Sequence, residues 1–145
     1  MVGVDRSEQG LKELPNAIRR EVGDAVSATP EDLKVLMDVN LGTALWLSQA
    51  VEPYMRQGGK GSIVHVSARP AADLTAGVAA YSLSKAALSH LVRILDLELH
   101  PYGIRVNAVA PQLIDTAANR AAFPAELLTH AVWPEAVANV IAYGA

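Results

Sequence analysis

Two short β-branched runs, residues 62–67 (Ser-Ile-Val-His-Val-Ser) and 104–109 (Ile-Arg-Val-Asn-Ala-Val), flank one long helical stretch over about residues 79–100. That order of strand, helix and strand constrains the fold more than anything else in the chain. A helical crossover between neighbouring strands leaves them parallel, and such crossovers are right-handed. The first run is expected to be a strand buried on both faces. The expected architecture is therefore α/β, a parallel sheet flanked by helices.

Leu88, Leu91, Leu95 and Leu99 recur at helical spacing and predict a buried stripe on the crossover helix, which Pro101-Tyr102-Gly103 stops. Upstream, Thr29-Pro30-Glu31-Asp32 reads as a helix start, with a hydroxyl cap, a proline at the first helical position and acids at the positive end of the dipole. Leu33, Met37, Asn40, Ala44, Leu47, Val51 and Tyr54 predict one buried face for that helix. Pro53 is expected to kink or shorten its last turns, and residues 57–61 to turn it into the first strand. Asn40 puts an amide in the stripe, costly unless paired, and Gly42 costs about 1 kcal/mol against alanine. Residues 1–6 read as a short strand closing on Asp5 and Arg6, residues 7–14 as a brief helix, and residues 18–24 as another strand. The chain up to residue 28 is expected to be poorly anchored. Residues 124–128 read as a short lid helix, residues 134–142 as another, and His65 as a core or rim histidine.

Apolar residues make up 51% of the 145 and charged ones 19%. The charged share lies below the usual ~25%, which suits one domain with elements covered on both sides or hidden in an oligomer. A net charge of −3 and the lack of a basic run leave no footprint for nucleic acid or an anionic membrane. With no cysteine there is no disulfide, thiolate nucleophile or cysteine-ligated zinc, and the four histidines lack metal-ligand spacing. No metal is expected. No apolar stretch approaches ~18 residues and no leader pattern opens the chain, so a soluble, cytoplasmic protein is expected.

The chemistry concentrates at Tyr81-Ser82-Leu83-Ser84-Lys85. Residues four apart share a helix face, so Tyr81 and Lys85 point into one pocket. Moving a phenol's proton near neutrality means stabilising its anion by roughly 4 kcal/mol. An ammonium about 4 Å away supplies that much at an effective dielectric of ~20.

The order of residues 61–67, a Pro/Ala/Gly loop, Tyr81 to Lys85 and then residues 103–111, together with Asp38-Val39-Asn40-Leu41-Gly42, resembles the short-chain dehydrogenase/reductase family over roughly residues 30–120. The resemblance implies a reduced Rossmann-type parallel sheet flanked by helices, NAD or NADP, and a small-molecule alcohol/carbonyl substrate. It implies that Tyr81 exchanges the proton, that Lys85 lowers its pKa and holds the nicotinamide ribose, and that Asn40 bends its helix and relays through water. Pro111 opens a loop over the nicotinamide, and Thr116 meets the carboxamide. Asp5 falls where an acid contacts the adenosine ribose and favours NAD, whereas Arg6 leaves NADP open; Asp24 joins the cofactor-binding set. A homo-oligomer through helices 30–57 and 79–100 is implied as well.

Departures from the family's pattern sit beside these matches. The serine expected thirteen residues before the tyrosine is Ala68. Ser67, one residue earlier, is the candidate in its place, although strand alternation turns a one-residue offset to the other face. Thr75 and backbone amides of the following loop are alternatives. Gln112 occupies a glycine position, and no G-x-x-x-G-x-G run occurs. The resemblance thus implies a single domain truncated at its start and shortened inside. Residues 1–28 are then a remnant of the cofactor-binding half, 29–120 the catalytic core and 121–145 C-terminal helices. Two functions stay open: an NAD(P)-dependent oxidoreductase, and a catalytically silent fragment acting as an oligomerisation or binding module.

Overall fold

Thr29 accepts a hydrogen bond from the Asp32 backbone N–H, and the Asp32 carboxylate accepts one from the Thr29 N–H, so the first described helix starts where the sequence predicts. This computed structural model describes residues 23–145. Helix α1 (Pro30–Met37) runs through a π-turn (Asp38–Gly42) into α2 (Thr43–Gly58), which ends as Gly59 takes a left-handed conformation at φ 68°. Strand β1 (Gly61–Val66), α3 (Ala79–Leu99) and β2 (Ile104–Val109) follow, then α4 (Ala117–Ala122), α5 (Ala125–Leu128) and α6 (Pro134–Gly144).

β1 and β2 are parallel and in register from Gly61 opposite Ile104 to Val66 opposite Val109. Among the described residues they form a two-stranded sheet. Ile104 and Val106 are buried while Arg105 and Asn107 are exposed, and most of β1 is half-buried. The expectation that the first run is buried on both faces therefore does not hold within the described chain. The core joins Ile104 and Val106 to Ala44, Leu88, Val92, Leu95 and Leu99. Full burial of such a side chain contributes about 1.5–3 kcal/mol. The leucine stripe of α3 is as predicted, with Leu91 packed at its edge. On the opposite side, Gly144 at the end of α6 is held through its carbonyl by the Ser62 hydroxyl and the Arg105 guanidinium, each at 3.2 Å.

Three expectations change. Leu36, Ala44 and Ser48 are the buried residues of α1 and α2, whereas Leu33, Leu47 and Tyr54 of the predicted stripe are exposed. The π-turn absorbs one extra residue, which moves the inward line of α2 by a position, while in α1, ahead of that turn, the inward residue is Leu36 and not Leu33. Of the two effects expected of Pro53, the shortening does not occur, because α2 continues to Gly58. Pro53 and Gln49 are both exposed, so water reaches the carbonyl left without its helical donor. Gly23 is tethered, since it forms a parallel bridge with Val78, its N–H bonding the Gly77 carbonyl at 2.7 Å. The strand expected over residues 1–6, the helix over 7–14 and all but residues 23 and 24 of the strand over 18–24 lie outside the described residues.

Candidate active site

The carboxyl ends of two parallel strands and the start of the crossover helix converge on one cavity of about 590 Å³, the place where open parallel sheets bind ligands. Val66 and Ala68 border it from β1 and the loop beyond, Pro111 and Leu113 from the exit of β2, and Tyr81 and Lys85 from the first turns of α3. The Lys85 ammonium donates to the Val66 carbonyl at 3.0 Å and stands 5.8 Å from the centre of the Tyr81 ring. The four-residue spacing thus brings phenol and ammonium to one wall, with the lysine stem anchored to the last residue of β1.

Asn40 lies in the π-turn. Its Nδ2 donates to the Ser84 hydroxyl at 3.0 Å, and that fully buried hydroxyl donates to the Tyr81 carbonyl at 2.8 Å. The amide is therefore satisfied, and it is tied to the turn of α3 that carries Tyr81 and Lys85. Nothing in the sequence marked Ser84 as the intermediary.

Ser67 borders the cavity, but its hydroxyl is turned onto α3, 2.7 Å from the Ser89 hydroxyl and 3.2 Å from the Lys85 carbonyl. Strand alternation accounts for that direction, and the geometry does not place Ser67 to bind a carbonyl beside Tyr81. Ala68 is buried at the cavity wall. Thr75 also borders the cavity, its hydroxyl 3.4 Å from the Asp73 carbonyl.

The residues implied for cofactor binding are scattered. Pro111 lines the cavity, and its carbonyl accepts from Arg69 N–H at 3.0 Å, joining the two loops that leave the strands. Thr116 caps α4, its hydroxyl accepting from Asn119 N–H at 3.2 Å. A threonine three residues before the N–H it accepts from is itself a local cap signal. Asp24 is exposed in a turn whose contacts run through its carbonyl, to Ser27 and Ala28. Asp5 and Arg6 lie outside the described residues. Phe123, Leu127 and His130 line the far side of the cavity, and sequence reasoning missed them as site residues. The only signal was a lone phenylalanine and a leucine pair on the expected lid.

Behind β1, the buried His65 ring places Nε2 3.0 Å from the Ser48 hydroxyl, and burial pushes its pKa below the ordinary value. Among the described residues no group of three or more histidines and acids is placed to hold a metal, and no helix is long and apolar enough to cross a membrane.

A family model for short chain dehydrogenases matches residues 5–127. Dehydrogenase/reductase SDR family member 4 of Homo sapiens is 36% identical over 104 residues, which span 72% of this chain and 37% of that protein. Galactitol 2-dehydrogenase of Rhizobium johnstonii is 35% identical over 131 residues, covering 82% of this chain and 51% of its own. A solved gluconate 5-dehydrogenase from Burkholderia cenocepacia, in complex with NADP and tartrate, matches with a TM-score of 0.67 and 28% identity over 73% of this chain and 42% of that one. The chain thus spans between about a third and a half of the length of these relatives.

Proposed function

The chain belongs to the short-chain dehydrogenase/reductase family, and on that footing we propose that it carries the proton-handling site of an NAD(P)-dependent oxidoreductase acting on an alcohol/carbonyl pair. The observation that carries this reading is the Tyr81–Lys85 wall at the carboxyl ends of β1 and β2.

Tyr81 donates its hydroxyl proton to the carbonyl oxygen in reduction and takes it back in oxidation. Lys85 keeps a positive charge beside the ring, which favours the phenolate left after transfer. Its anchor on Val66 fixes that charge, and the link from Asn40 through Ser84 fixes the turn bearing both groups. With Ala68 in the wall and the Ser67 hydroxyl turned to α3, Tyr81 is the group assigned to the carbonyl oxygen.

A nicotinamide cofactor, when bound, supplies or accepts the hydride. The described residues suit its nicotinamide-ribose end: a cavity of adequate size, a lysine at the wall, and Pro111 opening the adjoining loop. NADP in the gluconate 5-dehydrogenase relative supports the cofactor class.

The test is the loss of reduced-cofactor absorbance at about millimolar NADH or NADPH with a panel of ketones. Tyr81→Phe is expected to lower kcat by about 10²–10⁴-fold, and Lys85→Met to lower it in the same direction. A wild-type chain that turns over none of the panel, or a Tyr81→Phe variant as active as wild type, would refute the proposal.

A further inference from the structure

The polar side chains on the cavity wall are largely bonded to the protein itself. Ser67 is held by Ser89 and the Lys85 carbonyl. Asn119 donates through Nδ2 to the Ile114 carbonyl at 2.8 Å, and the Arg69 guanidinium is matched by the Asp73 carboxylate at 2.5 Å. Gln112 and His130 stand on exposed positions at the rim. The apolar lining includes Val66, Val78, Leu113, Ile114, Phe123 and Leu127, of which Val66 and Leu127 are themselves exposed, and the exposed Thr75 adds a hydroxyl.

Resting on the reading of this cavity as a substrate site, we propose that it takes a ketone or secondary alcohol with an apolar, ring-sized body, and not a polyol. One polar group of the ligand meets Tyr81, and its hydrocarbon body replaces water against the six apolar side chains. A polyol carries a hydroxyl on every carbon. Each one buried against such a wall without a partner lowers affinity by about tenfold. The cavity of about 590 Å³ is shared with the nicotinamide end of the cofactor, and the remainder suits a body of one or two rings. The selectivity therefore runs opposite to that of the galactitol 2-dehydrogenase relative, whose name specifies a polyol.

Calorimetry with 2-decalone and with galactitol tests this on the whole chain, alongside turnover of each. Decalone is expected to bind at least about tenfold more tightly than galactitol. Leu127→Gln and Phe123→Gln, both at positions outside the core cluster, are each expected to weaken decalone binding roughly three- to tenfold while circular dichroism stays unchanged. Galactitol binding as tightly as decalone, decalone binding insensitive to whichever of the two variants folds, or no detectable binding of either probe would overturn the proposal. Decalone that binds but is never turned over would tell against the proton-handling reading alone. Turnover of galactitol in preference to decalone would tell against the apolar cavity alone.

Discussion

His65 and Ser48 show how a buried polar pair fixes its own protonation. The Ser48 hydroxyl donates to the Ala44 carbonyl at 2.8 Å, so it accepts from His65, which places the imidazole proton on Nε2. Burial holds the folded-state pKa below the unfolded value of about 6.5. Above that value both states are neutral and the histidine adds no pH dependence. As pH falls through it the unfolded chain binds the proton first, so stability drops until the folded pKa is reached. Urea midpoints are expected to fall between about pH 7.5 and pH 5, and His65→Gln to flatten that fall. A midpoint equally pH-dependent in both proteins would show that another group is responsible. Legibility at this scale was uneven, for physical reasons. The joint placement of Tyr81 and Lys85 follows from helical spacing, and the turn of the Ser67 hydroxyl onto α3 from strand alternation. The bonding of Ser84 to Asn40 and of Ser48 to His65 joins elements far apart in the chain, where no local pattern reports it.

Helices α1 and α2 show the same division at the scale of elements. Their start is written locally, in a capping box, but their inward face depends on the π-turn, and a regular period carried through residues 38–42 places Leu47 and Tyr54 wrongly. What those helices leave outside has a consequence for assembly. Trp46 is 60% and Tyr54 77% exposed on α2, and Leu83 59% and Leu97 78% exposed on α3. Large apolar patches are uncommon on monomers, so the chain is expected to be at least dimeric through these two helices. Light scattering at low concentration checks this, and a monodisperse 15.3 kDa species would contradict it. Where the two strands begin, the constraint is steric. Gly103 has φ 72°, and a Cβ built there would lie 2.5 Å from the Gly59 carbonyl oxygen, in the turn that leads into β1. Gly103→Ala is expected to cost at least about 2 kcal/mol in urea unfolding, from the left-handed backbone and the clash together. A loss of under about 0.5 kcal/mol would mean that the turn relaxes freely.

At the scale of the molecule, the strand–helix–strand order carried the parallel register and the position of the cavity, because crossover handedness leaves one way to pack α3 on the sheet. Cavity, Tyr81–Lys85 pair and cofactor affinity are separate matters, however. A dinucleotide is gripped chiefly at its pyrophosphate, where a Gly-rich turn lets backbone N–H groups and a helix dipole meet the charge. No such run occurs anywhere in the 145 residues, and the cavity described here offers contacts suited to the nicotinamide-ribose end. Those contacts must offset the loss of translational and rotational freedom on their own. NADH and NADPH are therefore expected to bind with Kd above roughly 100 μM. Salt gives an independent reading, because an anion site weakens as ionic strength rises, whereas apolar and neutral hydrogen-bonding contacts change little. Calorimetric titration at low and high salt separates the cases. Micromolar binding that collapses with added salt would overturn the expectation and reveal a replacement phosphate site built from other cations of the chain.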